Sequence, residues 1–152
     1  MGAELNEPVR VAILDRNSRL RQQWPEGLAT LENIQIVGWV QRVEEMVALL
    51  NSLTSPQVIL IDLAAATVAQ IHELAKATKV IVLHEAGEEE AVLEALRAGA
   101  MGHLDKGSAQ PEQILAAIRI VKRGQAVLSP LLAGRVVEKI VQSHGKEVKR
   151  HR

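Results

Sequence analysis

Short apolar runs recur along this chain at intervals that leave room for one helix between each pair. They are VRVAIL (9–14), IQIVGWV (34–40), VILI (58–61), KVIVL (79–83) and MGHL (101–104). The central runs show no polar alternation, so a strand built from them is buried on both faces. The intervening segments carry helical periodicity. Residues 17–31 read as a helix with Asn17 or Ser18 as N-cap, and Pro25 and Gly27 predict a kink or break near Trp24. Residues 43–53 place Val43, Met46, Val47 and Leu50 on one face, and residues 67–77 do the same with Val68, Ile71 and Leu74. A helix over 88–100 closes on Gly99, and one over 111–124 opens with Pro111 and stops at Gly124. The last helix, 129–144, has Ser129 as N-cap and Pro130 in its first turn.

Strands apolar on both faces and separated by helices require a parallel sheet covered on both sides. The pattern predicts a flavodoxin-like, doubly wound α/β sheet of five strands, order 2-1-3-4-5, with an extra C-terminal helix. The expected organisation is a disordered tail over 1–8, one domain over 9–124, a linker and helix over 125–145, and a basic, frayed tail over 146–152.

Functional sites in such sheets lie beyond the carboxyl ends of the strands. Asp15 ends the first run, Asp62 the third, His84 the fourth, and Lys106 follows the fifth. Two acids, a histidine and a lysine are thereby expected to converge. Asp62 has a plainer reading as a capping acid at a strand end, and Arg16 as a solvated surface arginine.

Composition narrows the alternatives. Aromatic residues are confined to Trp24 and Trp39, and 18 basic residues balance 18 acidic ones, so neither base stacking nor a global field favours nucleic acid. The absence of cysteine excludes disulfides and thiolate metal sites. No apolar run approaches the roughly 20 residues of a membrane span. The first residues lack the features of a secretory signal, so a cytoplasmic protein is expected. His72, His84 and His103 match no zinc spacing, and His72 reads as a surface residue. Glu88, Glu89 and Glu90 read as helix-start acids. RNSR (16–19) is not a phosphate-cradling glycine loop, which leaves little support for a small-molecule binder. Ser18, His84 and Asp105 come without a G-x-S-x-G elbow, so no enzyme is expected.

VRVAILD, PQVILIDL, KVIVLHEAGEEEAVLEALRAGAMGHLDKG and PEQILAAIRIVKRG together resemble the receiver domain of two-component response regulators over 9 to 124. The stretch from Lys79 to Gly107 is the most specific. GQAVLSPLLAGRVVEKI resembles the linker that leads, in the LuxR-type subfamily, to a helix-turn-helix output domain. The resemblance implies phosphorelay signalling with Asp62 as phosphoacceptor, Asp15 as Mg²⁺ ligand and Lys106 on the phosphoryl oxygens. It implies a sensor histidine kinase as partner, homodimerisation, and DNA contact only through an output domain that these residues do not include.

The sequence departs from the family in four respects. Arg16 stands where a second acid is expected, His84 where a Ser or Thr is, and His103 at the strand-five aromatic position. The loop after Asp62 is LAAAT, without the usual Met-Pro turn and glycines. Arg16 weakens the Mg²⁺ site and is a candidate ion-pair partner for Asp62. The pocket therefore reads as degenerate or pseudo-receiver-like. A phosphorylation-independent interaction or dimerisation module is the alternative function. Leu131, Leu132, Val136, Val137, Ile140 and Val141 form an apolar stripe that packs on the domain or on a second copy.

Overall fold

In the computed structural model, residues 7–16 and 33–150 are described, with 145–150 as backbone alone. Five strands form one parallel sheet: β1 (Val9–Leu14), β2 (Ile34–Val40), β3 (Val58–Asp62), β4 (Lys79–His84) and β5 (Gly102–Asp105), in the order β2-β1-β3-β4-β5. The helices are α1 (Val43–Leu50), α2 (Val68–Ala77), α3 (Glu89–Ala98), α4 (Pro111–Lys122) and α5 (Pro130–Arg150). A 3₁₀ turn, Leu63–Ala65, follows β3 directly. The expected fold class and strand order are those observed. The expected helix over 17–31, its caps and its kink lie outside the described residues.

Strand alternation divides the core. Ala12, Leu14, Ile59, Ile61, Val80 and Val82 face Met46 of α1, Ile71 and Leu74 of α2, Val92 and Leu93 of α3, and Leu132 of α5. Val11, Ile13, Val58, Leu60, Ile81 and Leu83 face Ile114, Ala117, Ile118 and Val121 of α4. Every residue of β3 is buried, as its unbroken apolar run requires. Burying one such aliphatic side chain stabilises the fold by about 1.5–3 kcal/mol. The edge strand β2 is only half-buried. Its register to β1 slips at Val11/Ala12, and Leu49 of α1 fills the space beside Gly38 that a Cβ would need.

Several boundaries differ from the sequence expectation. β3 and β4 each run one residue further, so Asp62 and His84 are strand residues rather than followers. The helix expected over 43–53 stops at Leu50, where Asn51 Nδ2 donates to the Val47 carbonyl. Val47 and Val68, placed on buried faces by periodicity, are exposed. α4 ends at Lys122, before Gly124 at φ +87°. α5 passes the expected end at 144 and continues to Arg150, so the basic stretch expected to fray is helical up to that residue. Its Lys, Glu and Arg residues are good helix formers, and no proline stops them.

α3 is anchored at both ends. Near its start, Arg135 of α5 pairs with Glu90. At its end, Gly99 adopts φ +122° and passes so close to α2 that an added Cβ would lie 2.8 Å from the Ala75 methyl. The exposed His72 of α2 hydrogen-bonds the Ala98 carbonyl through Nδ1 at 3.0 Å, satisfying one of the free carbonyls of that helix end.

The two glycines at Gly99 and Gly134 should respond oppositely to alanine. Gly99→Ala should cost about 1–2 kcal/mol from the positive φ alone, and more from the clash. Gly134, inside α5 with open space around it, should gain about 0.5–1 kcal/mol as alanine. Denaturant unfolding of both variants checks this; equal effects would contradict the packing described.

Candidate functional site

Burial of both faces of β3 leaves no place for a charge within the strand, but at its carboxyl end the chain leaves the sandwich. Asp62 sits at that point with 6% of its surface exposed. One oxygen is committed. Asp62 Oδ1 accepts from the Ala64 backbone N–H at 3.0 Å and from Lys106 Nζ at 3.0 Å. The first contact caps the 3₁₀ turn, so the capping role is realised alongside the ion pair. Lys106 lies just beyond β5 and is mostly enclosed, with 17% of its side chain exposed. Its position is secured by the backbone, since Lys106 N–H donates to the His84 carbonyl at 2.8 Å. A weaker contact reaches Glu85 Oε1 at 4.0 Å.

Asp15 is buried at the end of β1. The register that pairs Leu14 with Ile61 puts Asp15 and Asp62 at adjacent strand ends. Two carboxylates on neighbouring strands are a hard-oxygen donor set that suits Mg²⁺ with waters completing its shell. Arg16, the next residue, is exposed and lines a shallow groove with Gln41, Arg42, Glu44, Ala65 and Gln70. The ion pair considered between Arg16 and Asp62 is not formed. Arg16 lies past the end of β1 in an exposed turn, and the Lys106 ammonium holds Asp62 instead.

His84 occupies the end of β4, buried, yet its ring does not turn to Asp62. Asp62 is in register with Leu83, so the next side chain, His84, leaves the sheet on the opposite face. Both ring nitrogens are engaged there. Nδ1 lies 3.0 Å from the Glu85 carbonyl and Nε2 lies 3.0 Å from His103 Nδ1. His103, half-buried on β5, accepts the Ser129 backbone N–H at Nε2, again at 3.0 Å. The two rings are tilted by 41° with centroids 5.1 Å apart. Burial first, and the charged form of His84 second, hold the His103 imidazole below the usual histidine value.

The structure thus brings Asp62, Asp15 and Lys106 together at one edge, joins His84 to His103 on the other face, and leaves Arg16 apart. Sequence reasoning missed Ser129 and the Ala64 amide as participants. Both act through backbone N–H groups, which carry no residue signature. Glu85 was legible only as the residue after His84.

Comparison with known proteins bears on the family and the fold. Residues 11–119 match the response regulator receiver domain family. The transcriptional regulatory protein YxjL of Bacillus subtilis is 29% identical, aligned over 93% of this chain and 69% of that protein. The nitrate/nitrite response regulator NarL of Escherichia coli is 30% identical over 83% of this chain, which spans 60% of that relative's length. Among solved structures, a LuxR-family response regulator from Aurantimonas superposes with TM-score 0.72 at 20% identity, covering 89% of this chain and 99% of that one. The isolated receiver domain of RcsB from Salmonella enterica superposes with TM-score 0.73 at 19% identity, covering 86% and 98%. A matched family spanning most of the chain, the same strand order, and an acid and a lysine meeting at the strand ends lead to one assignment: this chain belongs to the response regulator receiver domain family.

Proposed function

We propose that the chain acts in two-component signalling as an atypical receiver, accepting a phosphoryl group on Asp62 from a sensor histidine kinase with only weak affinity for Mg²⁺. The one-sided engagement of the Asp62 carboxylate carries this reading. Oδ1 is held by Ala64 and Lys106, which leaves Oδ2 as the oxygen to attack phosphorus. As the Oδ2–P bond forms, the P–N bond to the donor imidazole breaks and its electron pair returns to nitrogen. Lys106 neutralises charge on the transferred oxygens as a fixed ammonium. Asp15 and Asp62 are the residues that would hold Mg²⁺, whose role when bound is to neutralise phosphoryl charge further. Arg16 replaces a second acid, and Lys106 already balances Asp62, so the pocket retains less net negative charge to attract a dication.

A second reading has its own support. Both nitrogens of His84 are committed to Glu85 and His103, so the group at the switch position does not face the acceptor. Leu131, Val137, Ile140 and Val141 are exposed along α5. These features suit a phosphorylation-independent module that dimerises or docks through helix faces. In either reading, control of transcription would pass through a longer protein of the kind to which YxjL and NarL belong.

Intact-mass spectrometry with Mg²⁺ and a small phosphodonor should give one phosphoryl adduct, absent from Asp62→Asn. Lys106→Ala should slow its formation by about 10²-fold. No adduct under conditions that label an ordinary receiver would transfer the function to the contact-only module. Titration calorimetry should find Mg²⁺ binding in the millimolar range; micromolar affinity would refute the weakened site, and Arg16→Asp should tighten binding.

A further inference from the structure

The hydrogen bonds around His84 and His103 admit only one allocation of protons. A backbone N–H can only donate, so the Ser129 amide requires a bare Nε2 on His103. Neutral His103 then carries its proton on Nδ1 and donates it to His84 Nε2. His84 Nε2 is therefore bare, its proton sits on Nδ1, and Nδ1–H donates to the Glu85 carbonyl. Every ring nitrogen is satisfied, in one direction, with both imidazoles neutral. The chain links the end of β4 through β5 to Ser129. That residue is the N-cap of α5: its Oγ accepts the Leu132 amide at 3.3 Å, and its carbonyl accepts the Ala133 amide at 2.9 Å.

A third proton cannot enter without breaking this chain. Placed between the rings with the Ser129 contact kept, it sets one N–H against another. Shifted to His103 Nε2, it faces the Ser129 N–H. The second arrangement preserves a charge-assisted bond between the rings and sacrifices a neutral one to Ser129, so it is the favoured state. We propose that the His84–His103 pair is a proton-controlled latch on the C-terminal helix: neutral, it ties the end of β4 to the cap of α5, and singly protonated, it lets that cap go.

The surroundings set where the latch operates. Asp105 lies opposite His84 in register, Lys106 bonds the His84 carbonyl, and Glu85 and Glu88 flank it in the following loop. From α3, Glu89 lines the groove that holds both rings. α4 contributes Gln113, Ala116, Ala117 and Ile120 to that groove, none of them charged, and Arg135 of α5 is paired with Glu90. The carboxylates favour an imidazolium, whereas burial first and the charge of the partner ring second oppose it. His103 is held below the usual histidine value, so the unfolded chain binds this proton more readily than the folded one. Its contribution to stability is complete above about pH 6.5 and is lost as the pH falls from there through the lower folded value of His103. The latch therefore opens on the acid side of about pH 6.5.

The inference does not rest on phosphoryl transfer. Failed labelling of Asp62 leaves it standing, and its own failure leaves the labelling reading intact. The test is a pH titration of the ¹⁵N-labelled full chain by NMR, with long-range spectra that report which nitrogen of each ring is protonated. At pH 8 both His84 and His103 should be Nδ1–H tautomers. Below the histidine transition, exchange of the Ser129 amide, corrected for its intrinsic pH dependence, should rise about tenfold, equivalent to one net hydrogen bond. His103→Phe should leave that amide unprotected at every pH while amides of β1 and β3 stay protected. An Nε2–H tautomer on either ring at pH 8, or a Ser129 amide equally protected throughout the wild-type titration, overturns the proposal; so does Ser129 protection that survives in His103→Phe.

Discussion

A strand covered on both faces has no place for a charge except where it leaves the sandwich. That constraint organises this molecule. β3 is apolar up to its last residue, β1 and β4 carry a charge only near their amino ends, at the half-buried Arg10 and Lys79, and the buried polar groups, Asp15, Asp62 and His84, appear together at the carboxyl edge. Parallel strands bring those edges to the same side, so burial concentrates the chemistry without any residue being chosen for its neighbour. Once an acid is placed there, a low-exposure cation becomes nearly obligatory, because an uncompensated buried carboxylate is costly. Lys106 meets that need, and the backbone bond from its own N–H to the His84 carbonyl fixes where its side chain begins.

The two faces of the sheet do different work at this edge. On the α4 face, Asp62 and Lys106 form a compact ion pair over a wholly aliphatic core. On the opposite face, His84 and His103 exchange hydrogen bonds under the start of α5. The backbone of β4 is the common element, since Leu83 belongs to the first face and His84 to the second. A one-residue shift in that strand's register would exchange the two sets, which is why the continuous pairing of β3 with β4 matters to the site.

The fold was legible because burial on both faces writes itself into composition: VILI and KVIVL could hardly be anything but central strands. Gly99 was legible as a helix stop because few other residues reach its dihedral angle. Asp62 and Lys106 were legible as neighbours by their strand-end positions, although the sequence offered Arg16 as the cation paired with Asp62. Arg16 was not placed correctly relative to Asp62, because charge complementarity in sequence ignores which way a side chain leaves the backbone. His84 was expected to look toward Asp62, and β4 runs one residue further than expected, which turns the ring to the other face. The Ser129 contact had no sequence signal, as it uses a main-chain donor from a segment distant in the chain.

α3 has one further property that follows from its anchors. It is joined to α5 by the Arg135–Glu90 pair, to α2 by the His72 cap, and to α2 again by the close passage of Gly99 at Ala75. Against the sheet it rests on its buried side chains, Val92, Leu93, Ala95 and Ala98, and packed surfaces of this kind accommodate small sliding shifts. The three helices therefore form one cross-linked tray on that side of the sheet. A disturbance on any one of these helices is therefore shared with the other two, while α4, on the other side of the sheet, takes no part in those links.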